Sequence, residues 1–132
     1  MIYGIGHDIL EVDRVKKIVE SQSGARFIQK VLTEQERALL SEKEPRRTEY
    51  VAGRFAVKEA VVKAFGCGIS SQIGLLDIEV LPDAAGKPVA RLHPASWQRL
   101  GLAQERFNIH VSISHQPGMA SAFCIVEQQD SN

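Results

Sequence analysis

Apolar and polar positions follow two different periods along this chain, helical in the first half and alternating in the second. Ile2 to Ile9 is apolar and rich in glycine, which predicts a strand; Gly4 and Gly6 allow a bulge or a close backbone approach. Asp13 suits the N-cap of a helix over about 14–21, with Val15, Ile18 and Val19 as its apolar stripe, and Ser23-Gly24 breaks it. A short helix follows over 25–31. Thr33 with Glu36 three residues on forms a capping box that opens a helix over about 34–41. Pro45, in a charged stretch, marks a joint. A long helix then runs from about Arg46 or Thr48 to Phe65 and stops at Gly66-Cys67-Gly68.

Beyond it, 76–81 alternates as a strand, 82–88 reads as a hairpin turn, and 89–92 is the return strand. Pro94 suits the first turn of a helix over about 95–102 that carries Trp97 into the core. Phe107, Ile109, Val111 and Ile113 line one side of a strand over 107–114. Ser114-His115-Gln116-Pro117-Gly118 is a turn before a strand over 119–126, and 128–132 is a polar tail that frays. The sum is an α+β fold: an antiparallel sheet packed against a long helix and several short helices, in one domain over 1–132. The N-terminal strand must join that sheet, or its apolar side chains would stay wet.

Composition narrows the function classes. Sixteen basic residues balance sixteen acidic ones, which argues against a general binder of nucleic acid or of an anionic membrane. Cys67 and Cys124 are far apart and lack metal-ligand spacing, so they read as buried free thiols. The N-terminus lacks the charged start and long apolar run of a signal peptide, and no stretch has the length of a membrane helix. A cytoplasmic protein is expected.

Candidate chemistry lies where polar residues interrupt apolar runs. Asp8 ends the first strand, where a turn or capping role competes with a metal or ion-pair role. Phe55, Glu59 and Lys63 lie four apart, on one face of the long helix. Glu59 and Lys63 are either a solvated i,i+4 pair or a carboxylate and an ammonium set side by side for a metal ion and a phosphate. Lys58 is a further charge on that apolar helix, with no role beyond a structural or solvated one. Lys87 sits in a Gly-Lys-Pro turn and His115 at a strand end. Two carboxylates can share Mg²⁺, which keeps several waters and takes phosphate oxygens. The lysines and the histidine would neutralise further phosphates. Neither a P-loop nor a Ser-His-Asp or Cys-His arrangement is evident, and Gly4-Ile5-Gly6 lacks the rest of a dinucleotide fingerprint.

Taken in order, Gly4-Ile5-Gly6-His7-Asp8-Ile9 with Arg14, then 55–66 with Lys58-Glu59-Ala60 and Lys63-Ala64, then Gly86-Lys87-Pro88, then Ser112-Ile113-Ser114-His115, resemble the small bacterial class of the 4′-phosphopantetheinyl transferase superfamily. The resemblance covers nearly the whole chain. It implies transfer of 4′-phosphopantetheine from coenzyme A to a serine of apo acyl carrier protein, releasing adenosine 3′,5′-bisphosphate, in support of fatty acid biosynthesis. By that resemblance Asp8 and Glu59 are Mg²⁺ ligands and Lys63 meets the pyrophosphate. Gly86, Lys87, Pro88 and His115 belong to the coenzyme A site, and Arg14 docks the acidic carrier protein, with Lys17 and Arg26 extending that basic surface. It also implies a homotrimer with active sites between subunits, Asp8, Glu59 and Lys63 coming from one chain and Lys87 and His115 from its neighbour.

Overall fold

A computed structural model describes residues 1–130. Strand β1 (Ile2–Glu11) leads directly into helix α1 (Val12–Val19), followed by α2 (Gly24–Val31), α3 (Glu34–Ala38) and the long α4 (Arg47–Phe65). A hairpin, β2 (Ile78–Pro82) and β3 (Pro88–Leu92), precedes α5 (Pro94–Leu100) and the strands β4 (Phe107–Gln116) and β5 (Met119–Gln128). The main sheet has the order β1-β5-β4, antiparallel throughout, and β2-β3 form a second sheet. The α+β expectation holds, including the place of β1 in the sheet. Among the described residues no helix is long and apolar enough to cross a membrane.

Helix α4 lies across one face of the main sheet, and the inward rows of that face are set by register. Gly6, Cys124 and Val111 form one row, Asp8, Ala122 and Ile113 the next, and Leu10, Ala120 and His115 the one beyond. The inward positions of α4 are mostly small: Ala52, Ala56, Ala60 and Ala64 are buried, together with Val57, Val61 and Val62. Small residues on both sides let the two backbones touch. A Cβ on Gly6 would sit 1.8 Å from the Ala60 carbonyl oxygen, and one on Gly4 would sit 1.8 Å from that of Ala64. Both glycines are therefore fixed by contact between strand and helix. Tyr3 meets Phe65 and Phe107 edge-on or tilted, and Trp97 packs between the same two rings, which closes the core at the end of α4. A second cluster joins α1, α2 and the first turns of α4 through Val15, Ile28, Val31, Leu32, Tyr50 and Val51.

Several local expectations change. Asp13 lies inside the first turn of α1; Glu11 occupies the cap position and makes no side-chain cap bond, because the strand runs straight into the helix. The Val12 N–H is satisfied by the Gly118 carbonyl of the neighbouring turn. Gly24 opens α2, where a Cβ would strike the Val19 carbonyl. The Thr33–Glu36 capping box forms as expected, but α3 gives way to a 3₁₀ turn over Leu40–Lys43. Strands β4 and β5 pair out to Gln116 and Met119, so the turn shrinks to Pro117-Gly118 and His115 belongs to the strand. Gln128 is paired in β5 and donates to the Met1 carbonyl; of the expected frayed tail, residues 131–132 lie outside the described residues. Cys124 is buried among apolar neighbours, which pushes its thiol pKa up to about 12, whereas Cys67 is half-buried.

The outward face of the sheet is unusually apolar. Ile5 pairs with Ile125, and His7 with Phe123, and all three apolar side chains are exposed, at 59%, 39% and 50%. His7 stacks on the Phe123 ring at 4.0 Å.

The glycine contact predicts a sharp penalty. Gly6→Ala should cost at least about 1–3 kcal/mol of stability, as overpacking against an immobile backbone does. Chemical denaturation checks this, and Ile5→Ala on the open face is the control that should cost much less.

Candidate active site

Asp8 is the next inward residue of β1 after Gly6, so the glycine contact delivers its carboxylate to the flank of α4. There Lys63 Nζ donates to Asp8 Oδ1 at 3.0 Å and to the His7 carbonyl at 2.9 Å. The Asp8 side chain is 16% exposed and that of Lys63 is 51% exposed, so the carboxylate is recessed and the ammonium stands at the rim. Glu59 lies one turn before Lys63 on the same helix face. Its carboxyl pKa is raised, first by burial and then by the negative charge of Asp8, with Lys63 offsetting part of the effect. Asp8, Glu59 and Lys63 are thus brought together. The solvated Glu59–Lys63 pair is not among the ion pairs of the described residues, because Lys63 turns to Asp8.

Two carboxylates here lie near one ammonium, which of the two bonds to Asp8 alone. Among the described residues no three His, Cys, Asp or Glu side chains gather as a metal-ligand set. Mg²⁺ needs no such set: it binds through one or two carboxylates and completes its octahedron with water and phosphate oxygens. The raised proton affinity of Glu59 beside Asp8 marks a place where added positive charge is favourable, and the donor set fits that ion.

The other candidates stand apart from this group in the single chain. His115 lies two strands and one row away from Asp8 and rests on Gly53, where a Cβ would come within 3.1 Å of its Nε2. Its Nε2 is 3.3 Å from the Glu49 carbonyl. Gly86, Lys87 and Pro88 lie at the turn of the second sheet. Asp83 Oδ1 accepts from the Ala85 and Lys87 N–H groups, and Gly86 takes a φ of 89°, so the turn is preformed with Lys87 exposed. Arg14 and Lys17 are exposed on α1, and Arg26 is exposed on α2, which packs beside it. A cavity of about 910 Å³ lies between the hairpin and β4, among Glu79, Arg91, Trp97 and Phe107, and none of the candidate residues lines it.

Sequence reasoning left Lys58 without a role and gave Glu36 only the capping box. Both side chains are fully buried, and Lys58 Nζ meets Glu36 Oε1 at 2.7 Å. The signal was spacing: Lys58 is in phase with Val51, Val61, Val62 and Phe65, a buried stripe of α4 on the side away from the main sheet.

The chain belongs to the 4′-phosphopantetheinyl transferase superfamily, whose family model matches residues 4–124. It is 44% identical over 132 residues to a holo-[acyl-carrier-protein] synthase of Halalkalibacterium halodurans, covering 99% of this chain and 100% of that one. The crystal structure of a holo-(acyl-carrier-protein) synthase from Bacillus anthracis in complex with CoA (3′,5′-ADP) superposes with a TM-score of 0.81 at 39% identity, covering 98% and 99% of the two chains. The holo-[acyl-carrier-protein] synthase of Neisseria meningitidis gives a TM-score of 0.85 at 31% identity, with 97% and 100% covered.

The electrostatics of Glu59 give a signed pH prediction. Its folded pKa lies above the ordinary value of 4.5, so the unfolded chain ionises first, and ionised Glu59 costs stability. That cost is absent below the ordinary value and complete above the raised one. Without divalent cations, Glu59→Gln should raise the melting temperature at neutral pH, and the gain should vanish in acid below the ordinary carboxylate range. Thermal melts at the two pH values check it.

Proposed function

We propose that this chain transfers 4′-phosphopantetheine from coenzyme A to a serine hydroxyl of an apo acyl carrier protein, supplying holo carrier protein for fatty acid biosynthesis. The observation that carries the reading is the meeting of Asp8, Glu59 and Lys63 on the flank of α4, in a chain of this family. The serine oxygen forms a bond to the phosphorus that bears pantetheine. The bond from that phosphorus to the bridging oxygen of the pyrophosphate breaks, adenosine 3′,5′-bisphosphate leaves, and the serine gives up its proton.

Asp8 and Glu59 would hold Mg²⁺, which supplies charge neutralisation at the pyrophosphate when bound. Lys63, at the exposed rim, reaches the same phosphates and offsets the negative charge that gathers on the leaving bisphosphate. Recessed between β1 and α4, Asp8 is held in place by the strand, and Lys63 would release its Oδ1 for the ion.

Lys87, His115 and the Gly86–Pro88 turn serve coenzyme A from a neighbouring chain of a homotrimer. Two features support this: both candidates lie away from Asp8 within one chain, and Ile5, Ile9, Phe123 and Ile125 expose an apolar sheet face that assembly would bury. Arg14, Lys17 and Arg26 offer an exposed basic surface to an acidic carrier protein. Free thiols at Cys67 and Cys124 suit a reducing compartment, and the reaction is placed in the cytoplasm.

With coenzyme A, Mg²⁺ and apo carrier protein, mass spectrometry should find one added phosphopantetheine on a single serine. Asp8→Ala should lower turnover at least about a hundredfold, a loss within the range seen for removal of one electrostatic group. Arg14→Ala should raise the KM for carrier protein and leave that for coenzyme A unchanged. An unmodified carrier protein overturns the proposal. Light scattering should give three times the chain mass, and Phe123→Asp should lower it; a monomeric wild type removes the trimer.

A further inference from the structure

The fully buried Lys58–Glu36 ion pair lies outside the site just described, and its energetics need a reason. Removing two charges from water costs several kcal/mol per ion, and well-packed apolar residues of the same volume do as well or better. Burial depresses the Lys58 pKa, and the Glu36 carboxylate opposes that shift. Yet every polar atom of the pair is committed. Glu36 Oε1 accepts from Lys58 Nζ and from the Thr33 N–H at 2.7 Å each, and Oε2 accepts from the Val80 N–H at 2.7 Å. Lys58 Nζ also donates to the Val31 carbonyl at 2.6 Å. One carboxylate and one ammonium thereby bind the end of α2, the start of α3, strand β2 and the middle of α4.

The opposite, sheet-facing surface of α4 explains why such a pin is useful. Where α4 meets β1 the contact is the backbone of Ala60 and Ala64 on Gly4 and Gly6, a smooth surface that fixes distance at the level of Glu59 and Lys63. Lys58 and Glu59 are consecutive, about 100° apart around the helix. Whatever fixes the direction of Lys58 fixes the direction in which Glu59, and Lys63 one turn later, leave the helix. We infer that the Lys58–Glu36 pair is a positioning device, locking the roll of α4 so that Glu59 and Lys63 converge with Asp8. The inference rests on the reading of Asp8 and Glu59 as cation ligands.

The test compares wild type with Lys58→Met, which keeps the length of the side chain and removes its charge and donors. Circular dichroism first establishes the folded fraction. Calorimetry with Mn²⁺ alone then reads the carboxylate pair without any turnover, and steady-state transfer gives kcat and KM. Positioning predicts that the folded variant binds Mn²⁺ about 10–100-fold more weakly, as loss of orienting contacts around a metal site does. It also predicts a lowered kcat with an unchanged KM for carrier protein. A purely structural role lowers the melting temperature and the number of competent molecules, with wild-type Mn²⁺ affinity and wild-type kcat per folded molecule; that result overturns the inference. If Lys58→Met does not fold, Glu36→Gln is read by the same two outcomes. Failure of the transferase reading is distinct, since it would show as a wild type that transfers nothing.

Discussion

The carbonyl oxygens of Ala60 and Ala64 occupy the space that side chains at positions 6 and 4 would need, and this contact governs the molecule. It brings strand and helix together at backbone distance, which only glycine on one side and small residues on the other permit. Because side chains alternate along a strand, the residue two beyond Gly6 must emerge on the same face, and that residue is Asp8. The carboxylate is set beside Glu59 and Lys63 by the same contact that builds the core. Fold and site share one cause here.

The long helix divides its circumference among three tasks. Alanine and valine meet the sheet and exclude water. Lys58 reaches away from the sheet to a carboxylate held by two backbone N–H groups and tethers the helix to α2, α3 and the hairpin. Glu59 and Lys63 take the remaining flank, where partial burial and the charge of Asp8 make the Glu59 carboxylate costly to ionise and a cation welcome. The sheet is likewise two-sided, with its inward face spent on α4 and its outward face left apolar and exposed.

Much of this was legible in the sequence because it is local. The Thr33–Glu36 capping box, the strand alternation of 107–113, Pro94 at a helix start and the glycine that ends α4 each follow from neighbouring residues. What failed needed distant partners. Asp13 has the chemistry of a cap, but the helix starts two residues earlier because β1 leads into it and the Gly118 carbonyl takes the first N–H. His115 reads as a turn residue until β5 pairs with it, leaving Pro117-Gly118 as a two-residue turn with Gly118 at a φ of 80°. Lys58 is visible as a charge out of place, but its answer lies 22 residues upstream in Glu36. For the site, spacing joined Glu59 to Lys63, the resemblance joined them to Asp8, and the fold brings the three side chains together. Lys87 and His115 stand apart from the set within the single chain, at the turn of the second sheet and on the far strand of the first, a separation no local pattern encodes.

The central claim is that the β1–α4 contact presents Asp8 and Glu59 as one cation site, and that Lys63 exchanges its Asp8 contact for a phosphate when substrate is bound. Anomalous diffraction from crystals grown with coenzyme A and Mn²⁺ tests it most directly. The account predicts one metal peak within ligand distance of both the Asp8 and Glu59 carboxylates, with Lys63 Nζ on a pyrophosphate oxygen. A metal peak that touches neither carboxylate, with the pyrophosphate bound elsewhere on the chain, would contradict it.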